Sequence, residues 1–340
     1  MKLPSSEQWL YLFNLLVTRW VNSGKDIAKY SPKTILCIKW DEIGDMAACT
    51  HVFALLKKRF PDAKIHVITK KYSAGLLENN PNVDEVSTDL KAWNKRYDLL
   101  VDLRGTWGTL WKTFRYYPRL RLDRGTVRIQ QRGNQPHETL TNYRIIEPVL
   151  KGLQNELPKL FSGEKNKTKI ANYIAQNGLE KYCVIHAGAR RELRKWTDAG
   201  YASIADWLVQ EKGLQVVFAG IENEEEQIKK ITDKMSQPFV LFTRNFDLLD
   251  LAELCERATF FLGNESGPLQ IADVIQTPLL GLFGPGVKDV FYPQNANARL
   301  IHHVLDCNPC DQIHCVNAGN TCMMRIGVDE VKIEIEKLLA

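Results

Sequence analysis

Between Thr259 and Gly286 the chain passes twice from an apolar run into a cluster of glycine, proline and polar residues, and that alternation limits the folds open to it. The first run ends at Gly263. Glu265, Ser266, Gly267 and Pro268 follow, then a helical stretch, then a second apolar run that ends at Phe283-Gly284-Pro285-Gly286. The pattern predicts strand, turn, helix and strand, with polar and glycine residues gathered at the carboxyl ends of both strands. Open α/β sheets bind ligands at those ends, where unpaired N–H groups of a helix amino terminus favour an anion. The stretch reads as half of a nucleotide diphosphate site.

The same alternation runs through the rest of the chain. Apolar runs at 34–40, 64–69, 85–87 and 97–103 predict strands of a first unit, whose first helix is expected to begin after Asp45. Runs at 182–187, 214–220, 239–243, 259–263 and 279–284 predict those of a second, with helices such as 198–211 and 224–235 between them. A polar, lysine-rich segment at 152–169, broken by Pro158 and Gly163, marks the boundary. Alternating β and α elements imply parallel sheets. The length of 340 residues is long for one domain and enough for two, each with its own core. The formal charge of +5, from 45 basic and 40 acidic residues, suits an anionic small molecule or a membrane surface. Nucleic acid is not expected as a partner, because no strongly basic domain or interleaved stacking motif is present.

Near the amino terminus, Trp9, Leu10, Leu12, Phe13, Leu16, Val17, Trp20 and Val21 fall on one broad helical face, interrupted by Asn14, Thr18 and Arg19. The run is too short and too polar to cross a bilayer. Without a basic n-region and a small-residue cleavage site it is no secretory signal, so a cytoplasmic protein is expected. Two readings stay open for this helix: one packed on the protein's own surface, and one lying in a membrane interface with its tryptophans at headgroup level.

Several motifs carry a family resemblance. The stretch around Glu265 resembles the donor-site signature of glycosyltransferase family 9, the lipopolysaccharide heptosyltransferases: an Asp-Thr/Ser-Gly turn, a His three residues later, and Phe-Gly-Pro-Thr after the next strand. Here Glu265 stands at the Asp, Ser266 and Gly267 match, Gln270 stands at the His and Gly286 at the Thr. Ile35 to Asp45, with its Gly44-Asp45 loop, and the segment Arg59-Phe-Pro-Asp-Ala63 resemble the family's opening strand, loop and second strand. Asn80-Pro-Asn-Val-Asp84, Val184-Ile-His-Ala-Gly-Ala189 and Lys195-Trp196 extend the match, which runs from about Lys33 to Val331. The resemblance implies the GT-B fold, two Rossmann-like domains facing each other across a cleft. On that reading 1–30 is an amino-terminal amphipathic helix and 31–155 the acceptor-side domain. A linker at 156–168 leads to the nucleotide-sugar-binding domain, 169–326, and a carboxyl-terminal helix, 327–340.

Moving a sugar from a nucleotide diphosphate to an alcohol requires a base for the acceptor proton and positive charge or N–H dipoles for the departing diphosphate. Asp45, in the loop leaving the first strand, falls on the family's catalytic aspartate; Asp41 and Glu42 are close enough in sequence to raise its pKa. Its alternative role is to cap the helix starting at Met46. Lys195 matches the family's phosphate-contacting lysine, and Arg190, Arg191 and Arg194 crowd the same loop, Arg194 being assigned to the donor. Glu224 matches an acid that binds ribose hydroxyls, or begins a solvated acidic helix. Gly267, Gly284 and Gly286 would let backbone approach the phosphates. Gln270 can donate a hydrogen bond but cannot be a cation. Between Arg104 and Arg132 lie seven arginines and Lys112, mixed with Trp107, Trp111, Phe114, Tyr116 and Tyr117. Such a segment suits a phosphorylated or carboxylated saccharide, with Arg104, Lys112 and Arg115 as acceptor contacts, or else it is a surface loop.

Cys37, Cys49, Cys183 and Cys255 are scattered through expected strands and helices and read as core thiols. Cys307, Cys310, Cys315 and Cys322 instead form a C-x2-C-x4-C-x6-C cluster. Four thiolates at this spacing suit a closed tetrahedral site for structural zinc or iron; free thiols or disulfides are the alternatives. Autotransporter heptosyltransferases resemble the cluster in holding iron through four cysteines. No cofactor is expected for the chemistry. The resemblance implies inverting transfer of a heptose or related sugar from an ADP-sugar to a lipopolysaccharide core or other lipid-linked surface glycan, at the inner face of the cytoplasmic membrane. A different nucleotide sugar, a protein acceptor, or a catalytically silent glycan-binding or assembly subunit are the alternatives. An oxidoreductase is disfavoured, since no G-x-G-x-x-G follows the first strand.

Overall fold

The computed structural model describes residues 6–93, 95–131 and 134–340. The chain forms two compact units, Met1–Phe161 and Ser162–Ala340, each built on its own parallel sheet.

In the first unit the strands are β1 (Thr34–Lys39), β2 (Lys64–Thr69), β3 (Glu85–Ser87), β4 (Leu99–Asp102) and β5 (Leu120–Asp123), in the order β3-β2-β1-β4-β5. Central β1 reads Thr-Ile-Leu-Cys-Ile-Lys, an apolar run rather than an alternation, because helices cover both faces of a parallel sheet. Its register sets Ile35 opposite Ile65 on one side and Leu99 on the other. Strand order reverses between β1 and β4, so their carboxyl ends flank a crevice of the kind in which open α/β sheets bind ligands. Three helices matter to the site: α1 (Ser6–Asn22), α2 (Ile43–Ala47) and α3 (Thr50–Arg59). α2 begins at Ile43, with Glu42 as its cap residue, so the expected start after Asp45 is corrected: Asp45 sits inside the first turn and caps nothing.

In the second unit the strands are β6 (Tyr182–His186), β7 (Gln215–Ala219), β8 (Val240–Phe242), β9 (Phe260–Asn264), β10 (Leu279–Phe283) and β11 (Ala298–His302). Their order is β11-β10-β9-β6-β7-β8, so the switch point falls between β6 and β9. The helix Asp198–Lys212 starts on the Thr197 side chain, which accepts from Gly200 N–H, and stops at Gly213 in the left-handed region (φ 63°). A core of Trp196, Tyr201, Phe218, Leu262 and Met323 packs beneath the sheet's carboxyl ends. The Trp196 indole donates to Ile326 O at 2.9 Å, which ties the basic loop to the end of the chain.

Two strands, β5 and β11, escape sequence reading. β5 is Leu-Arg-Leu-Asp, and its Arg121 is buried against Asp102 at 3.0 Å; a charged residue inside an edge strand erases the apolar run that would mark it.

Candidate active site

At the switch point of the first unit the sequence places an unusual lysine. Lys39 closes β1 and is fully buried, its Nζ 2.8 Å from Glu138 Oε1 and 3.1 Å from Asp41 Oδ2. Arg124 forks onto both oxygens of Glu138 at 2.6 Å, and Arg104 bonds Asp41. A buried ammonium without partners would lose its proton. Here burial is overruled by Asp41, Glu138 and Asp45, which hold Lys39 charged and above the usual lysine range. Glu138, although buried, is held well below the carboxylate range by Arg124 and Lys39.

Asp45 faces this cluster from the first turn of α2. Burial raises its pKa to about 6; Lys39 opposes the shift, while Asp41 and Glu138 add to it. Glu42 acts elsewhere, accepting from Lys70 at 2.8 Å and from the Tyr72 hydroxyl at 2.6 Å. A carboxylate that titrates near 6 is ionised at neutral pH and still basic enough to take a proton. Sequence reasoning named Asp45 and Asp41 but missed Lys39, Arg124 and Glu138. A lysine ending an apolar run was the one local signal; Glu138 lies 99 residues away and has none.

At the switch point of the second unit, Ser266 caps the helix Gly267–Val274, its Oγ accepting from Leu269 N–H at 3.4 Å, with Pro268 in the first turn. The freed N–H groups of that turn form an anion site. Ser266 Oγ also lies 3.4 Å from His186 Nδ1, and His186 Nε2 lies 3.5 Å from Glu224 Oε2. Glu224 accepts from Ile221 N–H at 3.0 Å. Burial would raise the Glu224 pKa, but His186, Ile221 N–H and Lys195 lower it below the ordinary value, so it is a fixed carboxylate. A Cβ at Gly188 would overlap Glu224 Oε1, so the bare glycine lets the carboxylate lie against the turn after β6. His186, reached only through the fold, and Asn264 were not singled out from sequence. Asn264 accepts from Trp196 N–H at 3.1 Å and the Tyr201 hydroxyl at 2.9 Å and donates to Ala187 O at 2.7 Å, holding β6, β9 and the basic loop together.

The basic loop divides. Arg190 and Arg191 point outward, whereas Arg194 turns in, its Nη1 3.2 Å from Glu265 Oε1 and its Nε donating to Gln312 Oε1 at 2.6 Å. Lys195 meets Glu192 at 2.7 Å. Glu265 is buried and its Oε2 has no hydrogen-bond partner among the described residues; burial raises its pKa against the pull of Arg194. Gly286 leaves room for that carboxylate. Gln270 donates to Phe291 O at 2.8 Å, so its amide N–H braces the following loop. At Gly284 a Cβ would stand 2.5 Å from Met323 Sδ, so its smallness also serves packing.

Behind these loops, Cys307, Cys310, Cys315 and Cys322 line one void with Leu193 and Pro285. Asn308 Nδ2 donates to Gly284 O at 3.0 Å, and Cys310 N–H to Pro285 O at 3.3 Å, so the segment cradles the Phe283–Gly286 turn. All four are free cysteines, and among the described residues no group of three or more His, Cys, Asp or Glu stands in a metal-coordinating array.

In the arginine-rich segment the surface-loop alternative is overturned: it forms the helix Trp107–Thr113, β5 and the helix Arg124–Gln130. Arg121 and Arg124 are consumed by buried ion pairs. Arg104 and Lys112 are exposed, and Arg115 lies over the Tyr116 ring, 5.9 Å from its centroid. Arg132 lies outside the described residues.

Two Rossmann-like units, each with a parallel sheet and a switch point lined by polar residues, place the chain in the GT-B fold class. The chain belongs to glycosyltransferase family 9 (heptosyltransferase), whose profile matches residues 123–320, and it is accordingly a glycosyltransferase. It is 23% identical over 313 residues to lipooligosaccharide heptosyltransferase 2 of Campylobacter jejuni serotype O:2, covering 87% of this chain and 95% of that one. The same-named protein of serotype O:6 is 27% identical over 177 residues, 51% of this chain and 56% of that relative's length. The solved structure of Escherichia coli ADP-heptose lps heptosyltransferase II shares the fold with a TM-score of 0.72 at 20% identity, over 90% of this chain and 98% of that one. So does the iron-containing dodecameric glycosyltransferase TibC of enterotoxigenic E. coli, with a TM-score of 0.57 at 14% identity over 91% and 76%.

Proposed function

We propose that the protein is an inverting glycosyltransferase that moves a heptose from ADP-heptose to a lipopolysaccharide core or a similar lipid-linked glycan. The single observation that carries the chemistry is the place of the Asp45 carboxyl, in the first turn of α2 beside the buried Lys39–Asp41–Glu138 cluster, where burial raises its pKa. In this reading the acceptor hydroxyl gives its proton to Asp45 as its oxygen bonds to the anomeric carbon. The bond from that carbon to the diphosphate oxygen breaks on the opposite face, and ADP leaves with the electron pair. Lys195 and the N–H groups after Ser266 and Gly267 meet the charge growing on the diphosphate, which makes them more valuable in the transition state than in the ground state. Glu224, fixed by His186 and Ile221, accepts from the ribose hydroxyls. Glu265 holds Arg194 towards the same end of the sheet, and Gly286 leaves it space. Gln270 supports the donor loop through Phe291. Arg104, Lys112 and Arg115 contact anionic groups of the acceptor. No cofactor enters the chemistry.

The relatives named above are lipooligosaccharide and ADP-heptose enzymes, which supports the donor and acceptor class. The lipid-linked acceptor brings the protein to the cytoplasmic face of the inner membrane; among the described residues no helix is long and apolar enough to cross it. The four cysteines supply the all-sulfur donor set that zinc or iron takes in closed sites, and they share one void, which supports a structural metal there. The decisive test is incubation of the purified protein with ADP-heptose and a deacylated core acceptor. ADP release coupled to a product of inverted anomeric configuration is expected. Turnover with another sugar nucleotide alone would reassign the donor, and no donor turnover at all would leave a binding subunit.

A further inference from the structure

α1 is inside out. Its buried face carries Leu10, Asn14, Val17 and Thr18, half of them polar, and Asn14 is completely buried. Its outward face carries Trp9, Leu12, Phe13, Leu16 and Trp20, a stripe at i, i+3, i+4, i+7 and i+11 with Trp20 74% exposed. An amphipathic helix on a soluble surface does the reverse.

Beside the burial of Leu10 and Val17, polar bonds hold it this way. Arg121 Nη2 donates to Asn14 Oδ1 at 3.2 Å, and the Thr18 hydroxyl donates to Asp123. Asn22 donates to Arg121 O at 2.7 Å and accepts from Arg121 N–H at 2.8 Å, standing in for a neighbouring strand at the edge of β5. The stripe continues onto the helix Trp107–Thr113: Phe13 packs against Trp107 and Trp111 at ring distances of 5.5 and 6.0 Å, and Trp111 stays 60% exposed. Contiguous apolar surface of this kind marks an interaction site.

We propose that this face, α1 with Trp107 and Trp111, is the surface by which the protein lies on an anionic lipid bilayer; the inference rests on the lipid-linked acceptor proposed above. Charge argues for lipid over a second copy. Arg19 on α1 and Lys112 beside Trp111 are exposed cations. Of the acids nearby, Asp26 is paired with Lys29 at 3.2 Å, and Glu7, which accepts from the Tyr11 hydroxyl, keeps its charge but is one acid against two cations. Two copies would bring like charges together, whereas anionic headgroups complement them. The 17-residue helix offers a strip about 25 Å long, enough to lie in the interface and too short to span it. Lys112 and Arg115 then sit next to the lipid, where an acceptor headgroup emerges.

The test is co-sedimentation of the full chain with phosphatidylcholine vesicles, with and without phosphatidylglycerol, for wild type and a Trp9→Ser/Trp20→Ser double variant. Both side chains are exposed, so the fold should persist, which circular dichroism checks. Wild type should bind the anionic vesicles, show tryptophan quenching by brominated acyl chains, and lose binding at high salt; the double variant should bind about tenfold or more weakly. Transfer to the deacylated acceptor should be the same in both proteins. Equal vesicle binding by the two, or none by either, overturns the surface. So does a wild-type dimer in sedimentation that the double variant abolishes, since the face would then join two copies. If wild type binds vesicles yet transfers to no acceptor, the transferase reading fails and the docking surface stands.

Discussion

The two halves solve the same topological problem with opposite chemistry. Each sheet reverses its strand order beside its first strand, and each gathers polar residues at that reversal. In the first unit the residues are side-chain charges buried together: Lys39, Arg124, Asp41, Glu138 and Asp45. In the second, the N–H groups of a capped helix end and a hydrogen-bond web through Ser266, His186 and Asn264 stand with the charges of Glu224, Arg194 and Glu265 at their rim. Buried opposing charges tune a proton affinity, because each shifts its neighbours' ionisation. A capped helix end binds an anion without titrating at all. One half is thus suited to proton transfer and the other to holding a diphosphate.

Asp45→Asn is the most severe challenge to that division. It should cut turnover by roughly 10² to 10⁴ with nearly unchanged ADP affinity, as measured by steady-state kinetics and calorimetry; weakened ADP binding would erase the contrast between the halves. In wild type, kcat/KM should fall as pH drops through about 6, where Asp45 takes up its proton. The same raised pKa means that the folded state binds the proton more tightly than the unfolded chain between about 4 and 6, so stability contributed by this group falls as pH rises through that window. Asn at this position should therefore not lower Tm at pH 8.

Lys39→Met tests whether the acids depend on the buried ammonium. It removes the cation that Asp41 and Glu138 share, leaving Arg104 and Arg124 as their remaining partners, which should cost up to about 3 kcal/mol in denaturant unfolding. The inflection in the pH–rate profile should also move up, since Lys39 holds the Asp45 pKa down. An unshifted profile would detach Asp45 from the cluster.

On the other half, Lys195→Ala should weaken ADP-heptose binding and slow transfer, each by about tenfold or more, without moving the pH profile. A moved profile would show that the halves share the titrating step. Cys310→Ser should have the smallest catalytic effect. Protein prepared without chelators should carry about one zinc or iron per chain by elemental analysis, and the variant should lose it and melt several degrees lower, because metal binding couples to folding. Metal-free, fully stable wild type would remove the metal.

Much of this was legible in the sequence where the signal is local. Each expected strand run overlaps an observed strand, and the Ser266-Gly267-Pro268 turn announces both a cap and the start of a helix. Asp45 was singled out through its place after β1 and the family resemblance. What stayed hidden is whatever depends on distant partners: β5, masked by the buried Arg121; Glu138, drawn 99 residues to Lys39; and Gly284, whose size answers to Met323. The orientation of α1 was equally hidden, since its pattern showed a broad apolar face without saying which way it turned.

The sequence by itself determined the alternation of strands and helices, the two parallel sheets and the family, because apolar periodicity and turn residues act over a few positions. Tertiary structure alone decided which charges are buried together, which arginines are spent on ion pairs, and that α1 turns its tryptophans outward. Those outcomes depend on the burial and partners of each group, and a side chain's partners are set by how the whole chain packs.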